Sequence, residues 1–234
     1  MATLPTTDQI LERRIGIERR LRAAAEAGGH DPARLRIVAV TKTWPVEVAR
    51  AAFEGGLTLL GESRVQEAEP KVAALPEAEW HLVGRLQSNK ARRAVRTFAV
   101  IHSVDSLELL KRVDATATEE GVRPRLLLQV NLTGTATVAG LSPEVAAADE
   151  VRDAVREARA TRVIGLMTIA RLGASSEEAR ATFAGLRALR DRLQERSGVE
   201  LPELSMGMSA DAEAAAAEGA TLVRIGTALF GPRA

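Results

Sequence analysis

The chain has 234 residues, 46% of them hydrophobic, and a net charge of +1 from 32 basic and 31 acidic side chains. That length and apolar content fit one large domain, and the near balance of charge removes the electrostatic motive for binding nucleic acid or an anionic membrane. With no Cys there are no disulfides or thiolate metal sites, and three His without a helix-spaced pair argue against a metal centre.

Met1–Pro5 lacks the basic-then-apolar pattern of a secretory leader, and no apolar run is long enough to span a bilayer. A soluble cytoplasmic protein is therefore expected. Ile10, Leu11, Ile15, Ile17 and Leu21 recur near helical spacing, which predicts a helix from about Thr7 to Ala27, stopped by Gly28-Gly29. Eight apolar, β-rich runs follow, at 35–41, 58–61, 80–83, 100–103, 125–131, 163–167, 204–206 and 222–225. Ala-, Glu- and Arg-rich helical stretches separate them. Arg92-Arg93-Ala94-Val95-Arg96 reads as a solvated helix face, because aromatics that could stack on bases make up only 3% of the chain. Ser142-Pro143 predicts a capped helix start. Ser175-Ser176-Glu177-Glu178 opens a long helix to about Arg196, ended by Gly198.

The strand runs are nearly continuous rather than alternating, as in parallel strands covered on both faces. Eight strand–helix units predict an α/β fold, a single (β/α)8 TIM barrel over 35–231, with an extra N-terminal helix inside residues 1–30 and one domain over 1–234. An open doubly wound sheet is the alternative. Against it, Thr41-Lys42-Thr43-Trp44-Pro45 after the first strand has no Gly-rich dinucleotide fingerprint.

Barrels concentrate chemistry at the C-terminal ends of their strands and often hold phosphate after the last two. Lys42 ends the first run. Only four of the 32 basic residues are lysine, namely Lys42, Lys71, Lys90 and Lys111. A Lys retained in so Arg-biased a chain suggests a task a guanidinium cannot perform. An amine can lose its proton and attack a carbonyl, and partial desolvation at a strand end favours the neutral form. Other polar residues fall at the same end: Glu62-Ser63-Arg64, Gly84 to Lys90, Asn131, Thr168, Gly207 to Asp211, and Gly226-Thr227. Gly207 and Gly226 let backbone amides approach an anion, and Ser209 and Thr227 add hydroxyls.

Barrel closure sets the eighth strand beside the first, and so sets a phosphate cup beside an amine. That pairing is what pyridoxal 5′-phosphate requires. Arg224 lies two residues before Gly226 and should share its side of the strand. Facing the pyridine nitrogen, a cation would keep it unprotonated and weaken the ring as an electron sink. His30 reads as a solvent-facing loop residue. His81 and His102 read as hydrogen-bonded interior residues, with a place at the mouth as the alternative. Met167, Met206 and Met208 read as core or mouth lining.

Five segments carry a family resemblance: Ala39 to Thr43, Gly61 to Glu67, Trp80 to Lys90, Leu204 to Asp211 and Val223 to Gly231. Together they resemble the pyridoxal phosphate homeostasis protein family from about Leu35 to Gly231. The resemblance implies a barrel like the N-terminal domain of alanine racemase, with pyridoxal phosphate as a Schiff base on Lys42. It implies phosphate contacts from Ser209, Gly226 and Thr227, with Arg224 near the ring nitrogen. Ser63, His81 and Met208 complete the expected cofactor contacts. No established catalytic activity is implied; the role is balance of cellular pyridoxal phosphate. The expected partners are pyridoxal phosphate and the apo-enzymes that use it, with no nucleic acid, no membrane and a monomeric chain.

The resemblance has departures. The family usually has Asn where Ser63 stands and often Tyr where Arg64 stands. An acidic residue and a Lys are usual where Thr135 and Val138 stand, in the loop from Thr133 to Gly140.

Two enzyme alternatives remain. One is a pyridoxal phosphate-dependent amino-acid racemase or lyase; a racemase needs a second base on the opposite face of the substrate, which in alanine racemase is a Tyr. This chain has no Tyr and ends at Ala234 after the eighth unit, without the C-terminal β domain of that enzyme, so that mechanism is not expected. His or water as the second base stays open. A Schiff-base aldolase acting on a sugar phosphate through Lys42 is the third reading.

Overall fold

In the computed structural model, which describes residues 4–135 and 138–232, eight parallel strands close into a barrel in sequence order. The strands are β1 (Arg36–Val40), β2 (Leu59–Glu62), β3 (Glu79–Leu82), β4 (Val100–Val104), β5 (Arg125–Gln129), β6 (Arg162–Met167), β7 (Glu203–Met208) and β8 (Leu222–Ile225). β8 pairs with β1 from Arg36↔Leu222 to Ala39↔Ile225, which excludes the open-sheet alternative. Met1 to Thr3, Ala136, Thr137, Arg233 and Ala234 lie outside the described residues, and with them parts of the leader, loop and chain-end readings.

The helices are α1 (Thr7–Ala27), α2 (Val46–Glu54), α3 (Val65–Ala74), α4 (Ala91–Thr97), α5 (Leu107–Glu120), α6 (Pro143–Ala146), α7 (Asp149–Glu157), α8 (Ser176–Ser197), α9 (Ala212–Ala217) and α10 (Thr227–Phe230). None is long and apolar enough to cross a membrane. A reciprocal capping box between Thr6 and Gln9 starts α1, which has the expected bounds and buries Ile10, Ile17, Leu21 and Ala25. It packs against α2, α9 and α10, the helices that flank the β8–β1 seam. A second capping box, Ser175 with Glu178, starts α8, and Gly198 ends it at φ +66.

Some elements differ from expectation. Ser142 does cap a helix, but α6 is one turn long and α7 restarts at Asp149. β5 stops at Gln129, so Asn131 lies in the loop, where its amide donates to the carbonyls of Thr135 (2.9 Å) and Val138 (2.8 Å). β7 runs on to Met208, and its register against β8 shifts between Ser205 and Met208.

Side chains alternate along each strand, and the two faces have different solvents. Ile37 and Ala39 of β1 and Val223 and Ile225 of β8 belong to the large apolar layer under the helices. Val38, Val100, Leu127, Ile164, Met167 and Leu222 form a small separate cluster inside the barrel. The same inward phase carries polar groups at Glu79, His81, His102, Ser205 and Arg224. The interior is therefore part hydrocarbon and part hydrogen-bonded column.

Candidate cofactor site

Inward phase along β1 runs Arg36, Val38, Val40, and the next member is Lys42, just past the strand. A turn places it there: the Trp44 amide donates to the Thr41 carbonyl at 3.1 Å, and Thr43 takes φ +67. Lys42 is half-buried on the wall of a cleft of about 700 Å3 at the C-terminal mouth. Ser63, Met208, Ser209, Arg224, Gly226 and Thr227 line the same cleft. Seven of the eight residues expected from the sequence thus meet in one place. A smaller cleft of about 460 Å3, near Arg14, Arg36 and Thr58 at the opposite end of the barrel, contains none of them.

The cleft floor is cationic. Arg224 is 5% exposed, and its Nη1 donates to the Ser205 carbonyl (2.9 Å) and hydroxyl (2.6 Å), while Nη2 donates to the Thr168 carbonyl (2.9 Å). Burial lowers its pKa only to about 10, so it stays charged at neutral pH. No carboxylate pairs with it among the described residues, so neutral oxygens hold the cation in place.

His81 is the expected residue that the cleft lacks. It is 1% exposed and sits below the mouth in a chain of hydrogen bonds. Glu79 Oε1 is 2.9 Å from His81 Nε2, His81 Nδ1 is 2.8 Å from His102 Nε2, and His102 Nδ1 is 2.8 Å from Ser205 Oγ. Period two does put His81 on the inner face, but its level along the barrel axis takes it away from the ligand cleft. Burial keeps both imidazoles below their usual pKa. The hydrogen bond from His81, aided by Arg125, holds the Glu79 carboxyl at about 2 despite its partial burial. Neutral rings and an ionised Glu79 leave one consistent assignment. Arg224 donates to Ser205, Ser205 to His102, His102 to His81, and His81 to Glu79.

The wall expected to face an anion is formed by the loops after β7 and β8. Gly207 has φ +86, and a Cβ there would sit 2.5 Å from the Ala215 methyl. The Met208 amide donates to Asp211 Oδ1 at 2.6 Å, which fixes the bend that presents Ser209. Ser209 and Thr227 are exposed, and the Ala228 amide reaches Ser209 Oγ at 3.4 Å, so the β7 and β8 loops touch at the mouth. Helix starts leave amides without intrahelical partners, here at Gly226-Thr227. Opposite, a Cβ on Gly84 would lie 2.2 Å from the Ser63 carbonyl, so glycine is required for the β2 and β3 loops to close.

Residues 17–234 match the family model for the N-terminal domain of alanine racemase. A pyridoxal phosphate homeostasis protein of Synechocystis sp. is 42% identical over 86% of this chain and 93% of its own. Another, from Escherichia coli, is 34% identical over 92% of each chain. This chain belongs to the pyridoxal phosphate homeostasis protein family. The fold agrees with that of PipY from Synechococcus elongatus, solved without and with pyridoxal phosphate bound. The TM-scores are 0.86 and 0.84 at 41% identity, covering 95% of this chain and all of PipY. Alanine racemase of Clostridium difficile superposes with a TM-score of 0.75 at 17% identity, over 94% of this chain and 56% of its own, and shares the fold.

Of the two positions expected to depart from the family pattern here, Ser63 lines the cleft and Arg64 is exposed at the start of α3. Val138 lines the cleft, and Thr135 is tied into its loop through a 2.8 Å contact with the Thr133 hydroxyl. Gln129, Val83 and Ile169 also line the cleft and were not foreseen. Gln129 carried a signal, as a polar residue interrupting the apolar run from Leu126 to Val130. Val83 and Ile169 carried none.

Proposed function

We propose that this protein holds pyridoxal 5′-phosphate as a Schiff base on Lys42 and buffers or supplies it to the apo-enzymes that use it. The observation that carries this reading is one cleft containing a primary amine, a buried cation and a hydroxyl-and-glycine wall. Those donors fit the group: the amine suits its aldehyde, Arg224 its ring nitrogen, and Ser209, Gly226 and Thr227 its phosphate. When bound, the cofactor supplies an electrophilic carbon and a conjugated ring. The chain's own residues hold it: Lys42 by a covalent bond, Ser209 and Thr227 by hydrogen bonds to the phosphate, and Met208 by apolar contact at the rim. The expected home is the cytoplasm.

The same geometry supports binding over turnover. Arg224 stays protonated near neutral pH, so it would donate a hydrogen bond to the ring nitrogen without giving up a proton to it. The two interior His, which would be the remaining candidates for a second base, are engaged below the cleft. Purified protein should absorb like a pyridoxal phosphate Schiff base, and borohydride should fix the cofactor to Lys42. Lys42→Ala should abolish both signals. A colourless, unreducible wild type saturated with pyridoxal phosphate would overturn the reading.

A further inference from the structure

Lys71 is the second lysine that survives in this arginine-rich chain, and it is buried, 4% exposed. It comes from α3, behind the β1 loop rather than in the cleft. Its Nζ donates to the Thr41 carbonyl at 2.9 Å, to Glu62 Oε1 at 2.7 Å and to Glu67 Oε1 at 3.4 Å. The Thr41 hydroxyl donates to the same Glu62 oxygen at 2.6 Å. Glu67 in turn accepts the backbone N–H of Thr43. The residues on either side of Lys42 are thus pinned to one ion pair, Thr41 by its carbonyl and Thr43 by its amide.

The pinned segment is strained. Thr43 is the one non-glycine residue with positive φ among those described. A β-branched side chain is a poor choice for that conformation, which a turn of this kind ordinarily gives to Gly or Asn. Such backbone states persist only where the surroundings over-determine them. Here Glu67 holds the amide that the twist exposes, and Lys71 holds the carbonyl one residue before Lys42. An arginine at position 71 would be too bulky and too rigidly planar to reach three oxygens packed around one point, which accounts for a retained Lys.

We infer that Glu67 and Lys71 are positioning residues for Lys42: together they impose the turn that aims its amine into the cleft. This rests on the reading of Lys42 as the carbonyl-binding amine. In that condensation the Lys42 nitrogen bonds to the aldehyde carbon, and the oxygen leaves as water with two protons. Borohydride then adds hydride to that carbon, and water protonates the nitrogen, leaving a stable secondary amine.

The test uses pyridoxal 5′-phosphate as the probe, borohydride trapping, and peptide mass spectrometry. The exposed Lys111 serves as an internal reference. Glu67→Ala should lower the initial rate of adduct formation at Lys42 relative to Lys111 by roughly tenfold or more, the scale of a released backbone strain. Glu67→Gln keeps an acceptor for the Thr43 amide and should stay within about threefold of wild type, since a neutral hydrogen bond of the same geometry survives. Adding Thr43→Gly to Glu67→Ala should recover most of the loss, because glycine takes positive φ without strain. A role limited to general stability would lower the melting temperature without this pattern. An unchanged Lys42 to Lys111 ratio in folded Glu67→Ala, or no recovery with Thr43→Gly, overturns the brace alone. Absence of any Lys42 adduct in the wild type overturns the proposed function and the brace with it.

Discussion

Arg224 grips Ser205 at both of its oxygens, the carbonyl at 2.9 Å and the hydroxyl at 2.6 Å. The hydroxyl proton is left to point at His102, which fixes the tautomers of both interior histidines down to Glu79. A buried guanidinium without an adjacent carboxylate is thereby coupled to a carboxylate at the far end of the barrel. Ser205→Ala should destabilise the fold by about 1–3 kcal/mol, because it leaves buried donors and acceptors unpaired at Arg224 and His102. Urea unfolding measures this directly. A loss below about 0.5 kcal/mol, typical of a neutral surface change, would show that the column is not a connected unit.

The interior His pair also sets a pH dependence. Unfolded His titrates near 6.5, and burial pushes both folded values below that. Well above about pH 6.5 neither state binds the proton, and the full stability is present. As pH falls below that point the unfolded chain takes up protons that the fold refuses, so stability drops, by up to about 1.4 kcal/mol per pH unit for each His. His30, lowered by burial and by Arg187, adds to the same window. Glu79 acts separately: its contribution is intact above its ordinary pKa and is lost as pH falls toward about 2. Unfolding midpoints at pH 7.5, 6.5 and 5.5 should decline, and His102→Asn should flatten the decline. A flat wild-type profile would contradict neutral buried imidazoles.

Anchorage of the phosphate should dominate retention of the cofactor. Ser209 and Thr227 each offer a hydroxyl to a dianion, and charge-assisted bonds contribute roughly 1.5–3 kcal/mol, about ten- to a hundredfold in affinity. Thr227→Val should weaken pyridoxal phosphate binding by about that factor, and pyridoxal without phosphate should bind poorly to the wild type. Fluorescence or absorbance titration distinguishes the cases. Equal affinities for the two ligands would remove the anion wall from the site.

Gly84→Ala should act on the opposite wall. The new methyl would fall 2.2 Å from the Ser63 carbonyl, which is backbone and cannot swing aside. The β2 loop must then shift, at an overpacking cost of roughly 1–3 kcal/mol. A lower melting temperature together with weaker pyridoxal phosphate binding is the expected pair of effects. Unaltered binding at reduced stability would place Ser63 outside the contact set.

Amino acids should be turned over negligibly. With Arg224 at the ring nitrogen, the ring would stay unprotonated and a weak electron sink, and a missing acid/base partner typically costs ~10²–10⁴-fold. Incubation with L-alanine should yield at most slow exchange at the cofactor. Racemisation or keto-acid release on the order of 1 s⁻¹ would restore the enzyme reading.

The barrel was legible because apolar β-branched runs alternate with capped helices, and eight such units have few ways to pack. Lys42 was legible through its rarity. Rarity also pointed at Lys71, but its role depends on Thr43 bending back over α3, and no periodicity announces a positive φ at a threonine. His81 shows a different limit. Period two assigns a side chain to the inside of a barrel but not to a level along its axis, and the cleft that holds Lys42 opens only at the top level. Ser205 was hidden because a small hydroxyl inside an apolar strand gives no pattern, although it links Arg224 to the histidine end of the column.

The seam between β1 and β8 joins the earliest strand of the barrel to the last. Lys42 is synthesised long before Arg224, Gly226 and Thr227. A growing chain therefore displays the amine with no anion wall beside it, and an aldehyde that meets it then has no phosphate contacts to retain it. Capture requires the ring to shut. Ligand present during folding would stabilise the shut ring over every partial barrel that precedes it, since only the shut ring carries the whole site.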